Sequence, residues 1–103
     1  MLEPVYADKN IGTAEVRQVF RISKVGTIAG CMVVQGEARR NAKARVKRGG
    51  QVISESNGVS SLKRVIEDVR EVRQGFECGI GLSNFEDFET GDLIEFFVSE
   101  RVS

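Results

Sequence analysis

The chain has 103 residues, 41% of them hydrophobic and 29% charged, an ordinary balance for one globular domain. No run of 18 apolar residues offers a membrane helix, and Met1-Leu2-Glu3-Pro4 has neither a basic leader nor an apolar core, so no export signal is expected. Formal charge sums to zero but unevenly: residues 17–73 hold 13 Lys/Arg against 5 Asp/Glu, whereas residues 77–100 hold 7 acids and no base. A chain split in this way can meet an anionic partner with one face and stay soluble.

Residues 1–11 read as the end of a linker, with Pro4 as a breaker and no apolar period, which leaves 12–103 as the domain. Residues 15–22 (EVRQVFRI) are β-branched and aromatic, and Ser23-Lys24-Val25-Gly26 reads as a turn. A nearly continuous apolar strand comes next over 27–34 (TIAGCMVV), closed by Gln35-Gly36-Glu37. Over 42–47, Ala42, Ala44 and Val46 alternate with Lys43, Arg45 and Lys47, the pattern of a half-buried strand with a basic outer face. Gly49-Gly50 is a two-residue hairpin signal leading to Val52-Ile53, and Asn57-Gly58 marks a further turn before a strand over 59–65. Residues 63–73 (KRVIEDVREVR) fit either one helix or two short strands with a kink. Phe76, Cys78, Ile80 and Leu82 alternate with Glu77, Gly79 and Gly81, and Gly91-Asp92 precedes a last strand over 93–99. Seven or eight short strands with glycine-rich turns predict an all-β domain, a small closed antiparallel barrel in preference to a sandwich, because closure removes the edges that such apolar strands would expose.

Catalysis has little to work with. The chain contains no histidine, the commonest general base, and neither a Cys-x-x-Cys zinc pattern nor a nucleotide-binding glycine loop. No enzyme, metal or cofactor is therefore expected. Cys31 and Cys78 are expected to be reduced, as small buried hydrophobes. Six cations fall within residues 39–48, and Lys43, Arg45 and Lys47 share a face that reads equally as a phosphate-contacting surface or as a solvated strand. Ser61-Leu62-Lys63-Arg64 places two adjacent cations, and glycines at 75, 79 and 81 mark either a barrel corner or the close approach of a ligand.

Several of these strings are recognisable. Ile11-Gly12-Thr13-Ala14-Glu15-Val16-Arg17, then Lys24-Val25-Gly26-Thr27-Ile28-Ala29-Gly30-Cys31, resemble the opening of the C-terminal domain of bacterial translation initiation factor two. Arg40-Asn41-Ala42-Lys43, Ser61-Leu62-Lys63-Arg64, Gly75-Phe76-Glu77-Cys78-Gly79-Ile80 and Gly91-Asp92-Leu93-Ile94-Glu95 continue the likeness over roughly residues 11–98. It departs at Val65-Ile66, where the family commonly has an aromatic and a lysine. The resemblance implies a barrel similar to the second domain of elongation-type translational GTPases. It also implies a cytoplasmic, non-enzymatic module that binds the formylmethionyl acceptor end of initiator tRNA. Cys31, Lys63, Arg64, Glu77, Cys78 and Gly79 would form the ligand surface, with both cysteines at one site. Its further partners would be the ribosome and a GTPase domain upstream of Met1 in the same protein. The competing expectation is an interaction barrel that docks on ribosomal RNA or on that GTPase through the basic strand.

Overall fold

The computed structural model describes residues 6–22, 26–64, 67–83 and 85–101, and every regular element among them is a strand. In chain order these are β1 (Tyr6–Ile22), β2 (Gly26–Arg39), β3 (Lys43–Arg48), β4 (Gln51–Arg64), β5 (Glu67–Asp68), β6 (Glu71–Arg73), β7 (Glu77–Leu82) and β8 (Leu93–Arg101). All pairings are antiparallel. The strands run β1-β8-β3-β4-β7-β2, and β2 pairs again with β1, so six of them close a ring, while β5 attaches to β4 and β6 to β2. The all-β closed barrel expected from the alternation is therefore the fold observed.

Its interior is filled by alternate residues of each strand. Ala14 and Val16 come from β1, Ala29, Cys31 and Val33 from β2, and Ala44 and Val46 from β3; Leu62, Cys78, Ile80, Ile94 and Phe96 complete the centre. Small and large side chains interleave, as a narrow barrel requires. The alternation read over 42–47 is reproduced, with Ala44 and Val46 buried and Lys43 exposed. Gly49 and Gly50 form the two-residue loop between Arg48 and Gln51, both with positive φ as that tight turn demands.

Three expectations are altered and one left open is settled. The stretch assigned to a linker is strand from Tyr6 onward, where residues 6–10 pair with the end of β8; residues 1–5, with Pro4, lie outside the described residues. Gln35-Gly36-Glu37 does not close β2, which continues to Arg39 and exchanges its partner for β6. Asn57-Gly58 is no turn but lies inside β4, which absorbs two extra residues against β3 as bulges. Residues 63–73 take the kinked two-strand form, β5 then β6 with a bend at Arg70; Val65-Ile66, like the Ser23–Val25 turn, fall outside the described residues.

One bulge shapes the outer wall of the barrel. Val16 faces Cys31 and Gln18 faces Gly30, so β1 spends one more residue than β2 at Arg17. Since side chains alternate faces, the extra residue inverts the pattern. Ala14 and Val16 point inward before it, whereas Gln18 and Phe20 point outward after it.

Candidate functional site

Outward positions of β2 and β7 meet at Gly30 and Gly79, which are direct cross-strand partners. Neither carries a side chain, so the barrel wall there is bare main chain. A methyl at Gly79 would sit 3.1 Å from Ile28 Cγ2, and one at Gly30 would sit 2.9 Å from the Phe20 ring. Around this floor lies an open surface pocket of roughly 840 Å³. Phe20, Ile28, Met32 and Phe76 supply apolar walls, Arg17, Lys63 and Arg64 supply cations, and Glu77 is the acid.

All six residues expected from sequence border this pocket, drawn from three strands: Cys31 of β2, Lys63 and Arg64 of β4, and Glu77, Cys78 and Gly79 of β7. Lys63 is the cross-strand partner of Gly79, and Cys31 of Cys78. The cysteines therefore adjoin despite 47 residues of separation, and both are free thiols. Their side chains belong to the core, however, at 2% and 5% exposure, so they offer the pocket main chain rather than sulfur. Cys31 Sγ–H donates to the Ala29 carbonyl at 3.4 Å.

Burial, then the neighbouring Cys78, holds the Cys31 thiol well above its ordinary value of 9.0, and burial pushes Cys78 up to about 12. Such thiols are poor nucleophiles. The folded domain is expected to remain unlabelled by iodoacetamide near pH ~8 and to react only once unfolded, as intact mass would record; fast native labelling would show open thiols instead. Unfolding lets each thiol ionise near 9.0, so this contribution to stability is complete below about pH 9 and is lost as pH rises toward 12.

Two pocket residues escaped the sequence reading. Phe20 and Phe76 are 48% and 45% exposed, which is unusual for aromatics in so small a domain. Phe20 reaches the surface only through the bulge at Arg17, which strand alternation does not reveal. Phe76 is held by the loop before β7, where Val33 N–H donates to the Phe76 carbonyl and Gly75 N–H to the Val33 carbonyl, at 3.1 and 2.8 Å. The Arg64 guanidinium lies over the Phe76 ring at 4.3 Å from its centroid. No ion pair links Glu77 to Lys63 or Arg64 among the described residues.

The basic strand is less free than its sequence suggests. Arg45 approaches Asp8 at 3.4 Å and stacks 4.4 Å over Phe97, and Lys47 lies 3.3 Å from Glu95. Arg48 bonds both oxygens of Asp92 at 2.9 Å. Lys43 alone of the three outward cations is exposed. The basic middle of the chain and its acidic end thus neutralise one another where β3 lies beside β8.

The barrel fold recurs within two larger solved structures. It matches part of the translation elongation factor SelB from Methanococcus maripaludis (TM-score 0.67, 18% identity, 84% of this chain and 19% of that one). It also matches part of GDP-bound aIF5B from Aeropyrum pernix (TM-score 0.68, 16% identity, 89% and 17%). In sequence the chain is 52% identical over all 103 residues to translation initiation factor IF-2 of Geobacillus thermodenitrificans, and 50% identical over 97 residues to that of Cutibacterium acnes. It spans only 14% and 10% of the length of those relatives. No family model matches the chain. These likenesses support a translation-factor domain.

Proposed function

We propose that this barrel binds the formylmethionyl acceptor end of initiator tRNA for a translation initiation factor in the cytoplasm. The observation that carries the reading is the convergence of six residues from three strands on one pocket floored by bare main chain. The relatives named IF-2 support a translation-initiation setting, and on this reading the ribosome and a GTPase of the same factor are the further partners. No cofactor is required.

The chemical task is to separate a formylated aminoacyl end from a free one. A free α-amine on an aminoacyl ester is substantially cationic near neutral pH, and the formamide is neutral. Arg17 is paired with Glu15 at 2.8 Å, but Lys63 and Arg64 still outnumber Glu77 on the walls, so the pocket repels an ammonium and attracts terminal phosphates. Burying an unpaired charge against Ile28, Met32 and Phe76 costs several kcal/mol, and a hydrogen-bonded neutral amide far less. The formamide packs against the bare Gly30–Gly79 floor, and Lys63 and Arg64 hold phosphate or ribose, contacts that position without reading sequence.

Titration of the folded chain with formylmethionyl-adenosine, followed by NMR, tests this. Shifts are expected at Gly30, Lys63, Phe76 and Gly79, with methionyl-adenosine binding at least about tenfold more weakly. Lys63→Ala or Arg64→Ala should each weaken binding by about 1–3 kcal/mol and leave the melting temperature nearly unchanged, because both side chains are exposed. Equal affinity for the two esters, or shifts confined to another face, overturns the reading.

A further inference from the structure

Folding moves the domain's available positive charge. Asp8, Glu95 and Asp92 take up Arg45, Lys47 and Arg48. Of the basic block at residues 39–48, the cations left without an acid among the described residues are Arg40 and Lys43, at the other end of β3, where the turn at residues 40–42 meets the bend at Arg70. There the Arg40 N–H donates to the Arg70 carbonyl at 2.8 Å, so two exposed arginines issue from hydrogen-bonded stretches of main chain. The β2–β6 pairing beneath is anchored by buried Ala38 and Val72, which are cross-strand partners. Arg39 is bound to Glu37 and lies 4.0 Å from Glu71, so its charge is already taken up by acids. Among the described residues, neither Arg40 nor Arg70 has an acidic partner.

These residues border a second concavity of roughly 580 Å³, lined by Arg39, Arg40, Asn41, Arg70 and Glu71. No aromatic or aliphatic residue lines it. Two guanidinium forks and a carboxamide offer the donors that a phosphodiester oxygen accepts, and the acid on the wall, Glu71, already lies beside Arg39, which leaves the charge of Arg40 and Arg70 for such a ligand. We propose that Arg40, Asn41 and Arg70 form a site for backbone phosphates of RNA, separate from the pocket at Gly30 and Gly79. The choice of RNA rests on the translation-factor relatives and does not depend on the acceptor-end reading.

The test uses a fluorescently labelled RNA hairpin with no aminoacyl group, its binding to the intact chain followed by anisotropy between about 50 and 200 mM salt. The Arg40→Gln/Arg70→Gln double variant should melt as the parent does. Its salt slope should be shallower by roughly 1.4–1.8, the equivalent of two phosphates. The Arg45→Gln/Lys47→Gln variant, whose cations are already paired, should keep the parental slope. The assignment is overturned by absent RNA binding, by an unchanged slope in the first variant, or by a slope carried by the second. Displacement of the RNA by inorganic phosphate, beyond the effect of chloride at equal ionic strength, would reassign the pocket to a small free anion and likewise overturn it. Because the probe lacks the formylmethionyl group, failure here leaves the acceptor-end reading standing, and failure with formylmethionyl-adenosine leaves this one standing.

Discussion

Gly12→Ala is expected to prevent this barrel from closing. Gly12 faces Gly36 across the β1–β2 pair, and a methyl on Gly12 would overlap the Glu37 carbonyl and amide main chain. Main chain cannot rotate aside as a side chain does, so the strands must separate. Gly36 is equally constrained, since its φ of +63 disfavours any side chain and a methyl there would meet the Ile11 carbonyl. The crossing lies where β2 exchanges β1 for β6 and where β1 also pairs with β8, so a displacement at this point affects two seams of the ring. A loss of roughly 3–5 kcal/mol is expected, a large share of the stability a domain of this size possesses. Thermal unfolding by circular dichroism would register it, and Gly49→Ala, where no atom lies within 4 Å, serves as the milder comparison for a positive-φ glycine. A Gly12→Ala protein that melts with the parent would show that the two strands can part there without cost.

The second large effect is expected at Asp92, which is 1% exposed and is the buried charged residue of the described core. Its carboxylate accepts two bonds from Arg48 at 2.9 Å and one from the Glu89 N–H at 2.8 Å. The adjoining main chain is tied to β1 beside the bulge, with Val16 N–H donating to the Asp92 carbonyl and Gly91 N–H to the Val16 carbonyl. Burial alone would push this carboxyl up; the Arg48 and Glu89 hydrogen bonds and the Arg48 charge outweigh it and hold the group below its ordinary value of 3.8. A carboxylate depressed in the folded state contributes stability that is complete above its unfolded value and is lost as pH falls through the folded one. Asp92→Ala is expected to cost roughly 2–4 kcal/mol, below the range for a fully enclosed pair because water still reaches Arg48. Asp92→Asn should keep the shape but flatten the decline of stability below about pH 4. Urea midpoints from neutral to acid pH would check both, and an Asn variant with the parental acid slope would show that another carboxylate governs it.

Much of the architecture could be read in the chain because a half-buried strand leaves its period in the sequence. Ala42, Ala44 and Val46 against three cations, or Cys78, Ile80 and Leu82 against Glu77 and two glycines, can bury only one face, and Gly49-Gly50 permits only a tight reversal. The six pocket residues could be named because their motifs resemble a known family; composition and periodicity alone would have left the glycines ambiguous between corner and site. The chain could not disclose the features that depend on register. Asn57-Gly58 is ordinary turn chemistry, yet pairing on both sides of β4 holds it in a strand. One extra residue at Arg17 turns Phe20 from the interior to the pocket wall, and nothing in residues 15–22 marks which residue will bulge. The charge count shows a basic middle and an acidic end, but which cations remain free was settled only when β3 came to lie between β8 and β4. Local pattern determined which side chains each strand would bury. Closure of the ring decided which faces met, because strand partners are set by contacts between residues far apart in the chain.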